Sequence, residues 1–140
     1  MKFIFVDDDL ETEVLLAILR EEHPTHAFSH VQTLARARSA IWQSKFDALI
    51  IDIMMPPDDD AVSESELHEG MYSGIRLAEL IRADSDGPNQ NSPILFLTAL
   101  SLRLDHRLSA MDNVRTIPIL RKPVYPEEVF DVLTALCEKP

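Results

Sequence analysis

Residues 48–56 read ALIIDIMMP, an apolar stretch that is interrupted by one carboxylate, Asp52, and closed by a proline. Four apolar residues in succession, without polar alternation, are typical of a strand that is buried on both faces of a parallel sheet. Asp52 is therefore expected at the carboxyl end of a strand. Its chemistry depends on which other side chains the fold brings to that end.

Four more stretches have the length and composition of strands. They are KFIFV (2–6), HAFSHV (26–31), PILFL (93–97) and TIPIL (116–120). The last is the weakest candidate, and it is expected at an edge of the sheet because Pro118 has no amide hydrogen to donate to a neighbouring strand.

Helical patterns fill the intervals between these strands. Helices are predicted over residues 10–22, from Thr33 to about Gln43, from Gly74 onward, over residues 101–112 and from Pro126 onward. In the first of them, the spacing predicts a buried face made of Val14, Leu15, Ile18 and Leu19. Five strand–helix units predict one α/β domain with a doubly wound parallel sheet, right-handed crossovers and helices on both faces. The chain of 140 residues, 46% of them hydrophobic, is large enough to bury such a core.

Ligands of doubly wound sheets bind beyond the carboxyl ends of the strands. Five side chains are expected there because each follows an apolar run, namely Asp7, Asp8, Asp52, Thr98 and Lys122. Converging carboxylates either raise one another's pKa or hold a cation between them. Oxygen ligands without His or Cys favour a hard ion, so the sequence predicts Mg²⁺, with Mn²⁺ as the alternative. A metal ion, an ammonium group and a hydroxyl around a carboxylate are what formation of an aspartyl phosphate requires.

This ordered set resembles the response-regulator receiver domain of two-component signalling, over essentially the whole chain. The matching features are the acidic pair after the first strand, Asp52 followed by IMMP, Thr98-Ala99 after the fourth strand and Lys122-Pro123 after the fifth. The resemblance implies a flavodoxin-like sheet with the strand order 2-1-3-4-5. It also implies that Asp52 is the phosphoacceptor. Mg²⁺ would be bound directly by Asp8, Asp52 and the backbone carbonyl of Met54, and by Asp7 through a metal-bound water.

The resemblance assigns the remaining roles to residues after strands four and five. Lys122 would pair with the phosphoryl group, Thr98 would donate a hydrogen bond to it, and the Lys122–Pro123 bond would be cis, which only a bond before proline readily allows. The partners would be a sensor histidine kinase or a histidine phosphotransfer protein, and a target protein. The target is expected on the face made by helix four (101–112), strand five and helix five.

Two departures from the family pattern concern the surroundings of the site. Such domains place a glycine shortly after the phosphoacceptor, whereas the candidate here, Gly74, follows Asp52 by 22 residues. We therefore expect an acidic insertion at about residues 57–73, which is either a solvated surface loop or a partner-facing element. The switch position, where an aromatic residue is frequent, holds Ile119, so readout by an aromatic rotamer is absent or altered.

A third departure concerns the lifetime of the phosphorylated form. Met54 and Leu100 flank the site two residues after Asp52 and Thr98, and neither apolar side chain can position a water molecule. The hypothesis is slow autodephosphorylation, and substitution of Leu100 by Glu or Gln tests it. Reaction at Asp52 would be self-modification, so the protein is not expected to be an enzyme in the turnover sense.

Composition limits the other functions. A net charge of −11 disfavours direct nucleic-acid binding. No apolar run reaches the roughly 20 residues that span a bilayer, and no signal peptide is evident, so a cytoplasmic location is expected. Cys137 is the single cysteine and cannot form an internal disulfide. Little sequence follows the last helix, so a stand-alone receiver without an output domain is expected.

Two other functions remain open from the sequence. One is a receiver-like interaction module that is never phosphorylated. The other is a haloacid-dehalogenase-like phosphohydrolase, for which DDDLE (7–11) would supply the nucleophile. Asp9 is interpreted as the N-cap of the first helix. The five histidines show no ligand spacing and are interpreted as structural or solvated.

Overall fold

The computed structural model describes residues 1–55, 73–99 and 117–138. Five strands form one sheet, and they are β1 (Lys2–Val6), β2 (Ala27–Val31), β3 (Ala48–Asp52), β4 (Ile94–Thr98) and β5 (Ile119–Arg121). Four helices are described, namely α1 (Glu11–Glu22), α2 (Leu34–Gln43), α3 (Ser73–Ala83) and α4 (Pro126–Glu138). The helix predicted over residues 101–112 lies outside the described residues, and so does the predicted insertion except for Ser73, the first residue of α3. The predicted fifth helix is therefore numbered α4 here.

The sheet has the order β2-β1-β3-β4-β5, and every neighbouring pair is parallel. This confirms the predicted doubly wound α/β fold and strand order. Because parallel neighbours all point the same way, Asp7, Asp52, Thr98 and Lys122 meet at one edge of the sheet. No helix in the described part of the chain is long and apolar enough to cross a membrane.

Alternate residues of each buried strand pack into two different cores, as the period of two requires. Ile4 and Val6 of β1 pack with α2 and α3 on one face of the sheet. Phe3 and Phe5 of the same strand pack with α1 and α4 on the other face. Helices therefore cover both faces, as predicted.

The predicted buried face of α1 is partly wrong. Val14 is 64% exposed and Ile18 is 37% exposed, whereas Leu16 is completely buried. Thr12 is also buried, and its hydroxyl donates to Asp7 Oδ2 at 2.8 Å. This bond anchors the first turn beside the end of β1 and rotates α1 so that Leu16, rather than Val14 and Ile18, faces the sheet. Residues 12, 15, 16 and 19 then form the inner stripe, which also has helical spacing.

The bounds of the other elements were predicted to within a few residues. Thr33 caps α2 by accepting a hydrogen bond from the Arg36 amide, as predicted. The prediction for β5 was shifted: the strand begins at Ile119 and ends at Arg121, and the Pro118 carbonyl accepts from the Phe96 amide. It lies at the edge of the sheet, as Pro118 indicated. The Lys122–Pro123 bond is cis, which confirms that prediction.

Candidate functional site

Asp52 is the last residue of β3, a strand whose five residues are all buried. It is 6% exposed and pairs in register with Leu97 of the neighbouring strand β4. Its Oδ1 atom accepts a hydrogen bond of 3.0 Å from the Met54 amide. This local bond, two residues along the chain, holds the carboxylate at the strand end and stabilises its charged form.

The end of β1 supplies two more carboxylates. Asp7 is 1% exposed, and its oxygens accept from the Asp9 amide at 2.9 Å and from the Thr12 hydroxyl at 2.8 Å. Asp8 is exposed. One carboxylate oxygen from each of Asp7, Asp8 and Asp52 can be chosen so that the three atoms lie within 4.8 Å of one another. A set made only of carboxylate oxygens fits a hard divalent cation such as Mg²⁺.

Lys122 follows β5, and its ammonium group pairs with carboxylates at the ends of β1 and β3. Its backbone amide donates to the Thr98 carbonyl at 2.8 Å. Its Nζ lies 2.9 Å from Asp7 Oδ2 and 3.3 Å from Asp52 Oδ2. Asp9 Oδ2 is at 3.5 Å from the same nitrogen. One ammonium group therefore faces three carboxylates, with Asp8 as a fourth in the cluster, so the site keeps an excess of negative charge that a cation would offset.

The folded protein shifts the pKa of both central groups. Burial raises the pKa of Asp52 to about 6, and it outweighs the Met54 amide and Lys122, which act in the opposite direction. Partial burial opposes the charge on Lys122, but the hydrogen bonds and charges of Asp7 and Asp52 together raise the pKa of the lysine. The lysine is therefore a fixed positive charge, and Asp52 is the carboxylate that lacks full compensation.

The other predicted site residues lie near this edge. Thr98 is buried at the end of β4, and its backbone carbonyl accepts a hydrogen bond from the Lys122 amide. Met54 follows β3 and is bonded to Asp52 through its amide. Ile119, the predicted switch position, begins β5 and packs partly against the core that contains α2 and α3. Leu100, the second position proposed to flank the site, lies outside the described residues.

Gly74 packs directly against β3. It lies at the start of α3, where its amide donates to the Ile53 carbonyl at 2.9 Å. A Cβ atom added at this position would lie 2.0 Å from the carbonyl oxygen of Asp52. Only glycine lets α3 approach β3 so closely.

A histidine that the sequence left without a role also reaches the site. His30 on β2 has a side chain that is 2% exposed, and its Nε2 lies 2.7 Å from the Asp7 carbonyl oxygen. No sequence signal marked it, because it lies within a predicted strand and has no ligand spacing. The prediction that Asp9 is the N-cap of the first helix is wrong by one residue, because Leu10 is the N-cap of α1, but Asp9 Oδ1 still accepts a hydrogen bond from the Glu11 amide at 2.9 Å. Its contact with Lys122 was not anticipated.

A groove of about 520 Å³ opens beside the site. Lys122 and Asp9 line it together with the apolar side chains of Val14, Ile18 and Val124. The two α1 residues that the helical spacing predicted to be buried therefore face this groove.

Comparison with known proteins gives structural neighbours only. No protein-family model and no curated protein matches the chain. The receiver domain of the Francisella response regulator 1452 is similar, with 22% identity, a TM-score of 0.70, and 98% of this chain and 96% of that chain covered. The receiver domain of the sensor histidine kinase PA1611 from Pseudomonas aeruginosa, with a magnesium ion in its active site cleft, has 20% identity, a TM-score of 0.69, and coverage of 99% and 98%. The BeF3-activated N-terminal receiver domain of Klebsiella pneumoniae RstA has 24% identity, a TM-score of 0.69, and coverage of 99% and 100%. The chain therefore has the fold of response-regulator receiver domains.

Proposed function

We propose that this protein is a phospho-accepting receiver, in which phosphorylation of Asp52 alters binding to a partner protein. One observation carries the proposal: the carboxylates of Asp7, Asp8 and Asp52 converge within 4.8 Å, and Lys122 Nζ lies 3.3 Å from Asp52. The magnesium ion in the cleft of the Pseudomonas receiver and the BeF3-activated form of the Klebsiella receiver support the same chemistry on this fold.

The proposed reaction is transfer of a phosphoryl group to the Asp52 carboxylate. A carboxylate oxygen attacks phosphorus, and the bond from phosphorus to the donor breaks. The donor departs as a histidine imidazole or, with acetyl phosphate, as acetate. Asp52 is ionised when it attacks, so no base is required. Mg²⁺, held by Asp8, Asp52 and the Met54 carbonyl, would supply positive charge to the phosphoryl oxygens.

The chain's own residues would stabilise the phosphorylated state. Lys122 already lies 3.3 Å from Asp52 Oδ2, so it can pair with a phosphoryl oxygen after a small movement. The Thr98 hydroxyl would donate a hydrogen bond to the same group. Because the Thr98 carbonyl binds the Lys122 amide, the ends of β4 and β5 would move together. Ile119 at the switch position would transmit this movement without an aromatic rotamer.

The proposed donor is a histidine kinase or a histidine phosphotransfer protein. Leu10, just before α1, and Val14 and Ile18 of α1 are exposed apolar side chains, and Val14 and Ile18 line the groove beside Lys122. An apolar helix that docked on this strip would bring its phosphohistidine close to Asp52. A target protein is proposed on the face that includes β5 and α4. The cytoplasmic location and the slow loss of phosphate stay predictions from the sequence.

The test is phosphorylation by acetyl phosphate in Mg²⁺, followed by intact mass and by peptide mapping. Wild-type protein should gain one phosphoryl group on the peptide that contains Asp52, and Asp52→Asn or EDTA should abolish the gain. Asp7→Asn is the matched carboxylate control, and it should slow the reaction without moving its position. An adduct on Asp7 would instead support the phosphohydrolase. No adduct, with Mg²⁺ binding measured separately, would contradict phosphorylation by this small donor and favour the interaction module.

Asp7 is the poorer nucleophile on physical grounds. It is 1% exposed, and its two oxygens already accept hydrogen bonds from the Asp9 amide and the Thr12 hydroxyl. The ammonium group of Lys122 lies 2.9 Å from the second oxygen. These bonds would have to break before Asp7 could attack phosphorus, so the geometry favours Asp52 over the phosphohydrolase assignment.

A further inference from the structure

His30 is a buried histidine between two hydrogen-bond acceptors. Its Nε2 lies 2.7 Å from the backbone carbonyl oxygen of Asp7, and its Nδ1 lies 2.5 Å from Glu13 Oε1. A backbone carbonyl can only accept, so Nε2 donates in the bond to Asp7, while Nδ1 faces the Glu13 carboxylate. The His30 side chain is 2% exposed, whereas the Glu13 side chain is 48% exposed, so the bond to the Asp7 carbonyl is the one shielded by the ring.

The hydrogen bond between His30 and the Asp7 carbonyl lies just beyond the last paired residues of β1 and β2. Val6 and Val31 are the last register pair of β1 and β2, and the Asp7 amide still donates to the Val31 carbonyl at 3.1 Å. Beyond that point β2 offers no further strand partner, and the His30 side chain supplies the next donor. The Asp7 carbonyl belongs to the peptide group that joins Asp7 to Asp8. Fixing this group restricts the direction in which the Asp8 side chain leaves the backbone.

The Nδ1 side of the His30 ring contacts Glu13 of α1, which is linked to β2 through Arg20. Glu13 of α1 binds His30 through one oxygen and faces Arg20 through the other, at 3.7 Å. The guanidinium group of Arg20 donates to the Phe28 carbonyl on β2 at 2.8 Å and 3.2 Å. The hydrogen bond from His30 is the largest influence that lowers the pKa of Glu13, which keeps this carboxylate charged. The ring is therefore held from both sides.

We propose that His30 is a positioning residue for the cation-binding part of the site, which fixes the peptide between Asp7 and Asp8 so that the Asp8 carboxylate faces Asp52. This inference rests on the proposed function, because it supposes that Asp8 and Asp52 share a divalent cation. His30 touches neither the cation nor the phosphoryl group, and it acts through the backbone of Asp7. Partners of this kind in other metal sites affect metal affinity by about 10- to 100-fold.

Two substitutions separate the two bonds of the ring. In His30→Gln, the side-chain amide nitrogen is as many bonds from Cβ as Nε2 is, so it can still donate to the Asp7 carbonyl. In His30→Asn, the amide nitrogen corresponds to Nδ1, so it can reach toward Glu13 but not toward Asp7. The two variants remove the same ring and differ by one methylene, which makes them matched controls for general destabilisation.

The measurements are Mg²⁺ affinity by titration calorimetry, the amide chemical shifts of Asp8 and Asp9 in the metal-free protein, and the thermal midpoint. We expect His30→Asn to weaken Mg²⁺ binding about tenfold and to shift both amides. His30→Gln should keep Mg²⁺ affinity within about threefold of wild type, with a thermal midpoint similar to that of His30→Asn. Equal Mg²⁺ affinities in the two variants, whether retained or lost, would overturn the inference. A wild-type protein that neither binds Mg²⁺ nor gains phosphate would instead refute the proposed function itself.

Discussion

Asp52 combines burial with an incompletely compensated charge. The Met54 amide and Lys122 stabilise its carboxylate, yet burial dominates and raises the pKa to about 6. A carboxylate in this environment gains most from a bound cation, because the cation removes the cost of holding the negative charge at the edge of the core. Lys122 cannot do this alone, since Asp7 and Asp9 share its ammonium group.

The raised pKa of Asp52 predicts how stability depends on pH without Mg²⁺. The folded protein binds this proton more tightly than the unfolded chain, so the stabilisation is complete below about pH 4 and is lost as pH rises through about 6. The whole effect is about 3 kcal/mol, and roughly half of it remains at pH 5. Between pH 5 and 7.5 the free energy of unfolding of wild type should therefore fall by roughly 1 kcal/mol more than that of Asp52→Asn. Urea unfolding of both proteins in EDTA measures the difference.

Asp84 provides a control of opposite sign. Its pKa is lowered, chiefly by the hydrogen bond from the Trp42 indole, so its stabilisation is present at neutral pH and lost as pH falls. Asp84→Asn should be less stable than wild type at pH 7.5, and the two should converge in acid. If Asp52→Asn followed this same pattern, or if its unfolding free energy had the same pH dependence as that of wild type, the raised pKa of Asp52 would be wrong.

For individual helices, contacts with the neighbouring strand determine which face is buried and how closely the helix approaches the sheet, and sequence periodicity alone does not fix either. In α1, an inner stripe through Val14 and Ile18 and one through Thr12 and Leu16 both have helical spacing. The hydrogen bond from Thr12 to Asp7 selects the second and leaves Val14 and Ile18 on the surface beside the site. In α3, the contact between Gly74 and β3 determines how closely the helix approaches the sheet.

That contact predicts that Gly74→Ala is strongly destabilising. The added methyl group would lie 2.0 Å from the Asp52 carbonyl oxygen and 2.8 Å from the Cα atom of Ile53, both of which are backbone atoms that cannot rotate away. We expect a loss of about 3 kcal/mol or more, together with weaker Mg²⁺ binding because Asp52 is displaced. Chemical unfolding and calorimetry measure the two effects.

Gly87→Ala is the matched control for this substitution. The nearest atoms to its added Cβ all belong to Asp84 and lie at 3.4 Å, which is an ordinary contact. Its stability should stay within about 1 kcal/mol of wild type. Equal effects at the two glycines would show that the close approach of α3 to β3 does not limit stability.

For the molecule as a whole, the residues on the two sides of the predicted insertion are buried and contact each other. Met55 and Ser73 are both buried, and the Ser73 hydroxyl donates to the Met55 carbonyl at 2.5 Å. Gly74 follows at once and binds the Ile53 carbonyl. The residues that precede and follow positions 56–72 are therefore joined directly, and the contacts that hold α3 on β3 do not require the segment between them.

This arrangement predicts that the segment can be replaced. A chain in which residues 58–70 are exchanged for a short Gly-Ser linker should fold with a thermal midpoint within a few degrees of wild type, because loop-closure entropy changes slowly with loop length. It should also still gain one phosphoryl group from acetyl phosphate. Circular dichroism and intact mass are the measurements. A linker variant that is folded but takes no phosphate would show that the acidic segment contributes to the site.

Sequence patterns were enough to predict four strands closely, a fifth with shifted bounds, their common edge, and Asp7, Asp8, Asp52 and Lys122 as groups that meet there. These properties follow from apolar runs and their periodicity, which can be read from a few consecutive residues, and from the rule that parallel strands end at one edge of the sheet. Three features could be seen only in the packed fold: the rotation of α1, the raised pKa of Asp52 and the hydrogen bond between His30 and Asp7. Each of these depends on burial and on contacts between residues far apart in the chain, which periodicity does not encode.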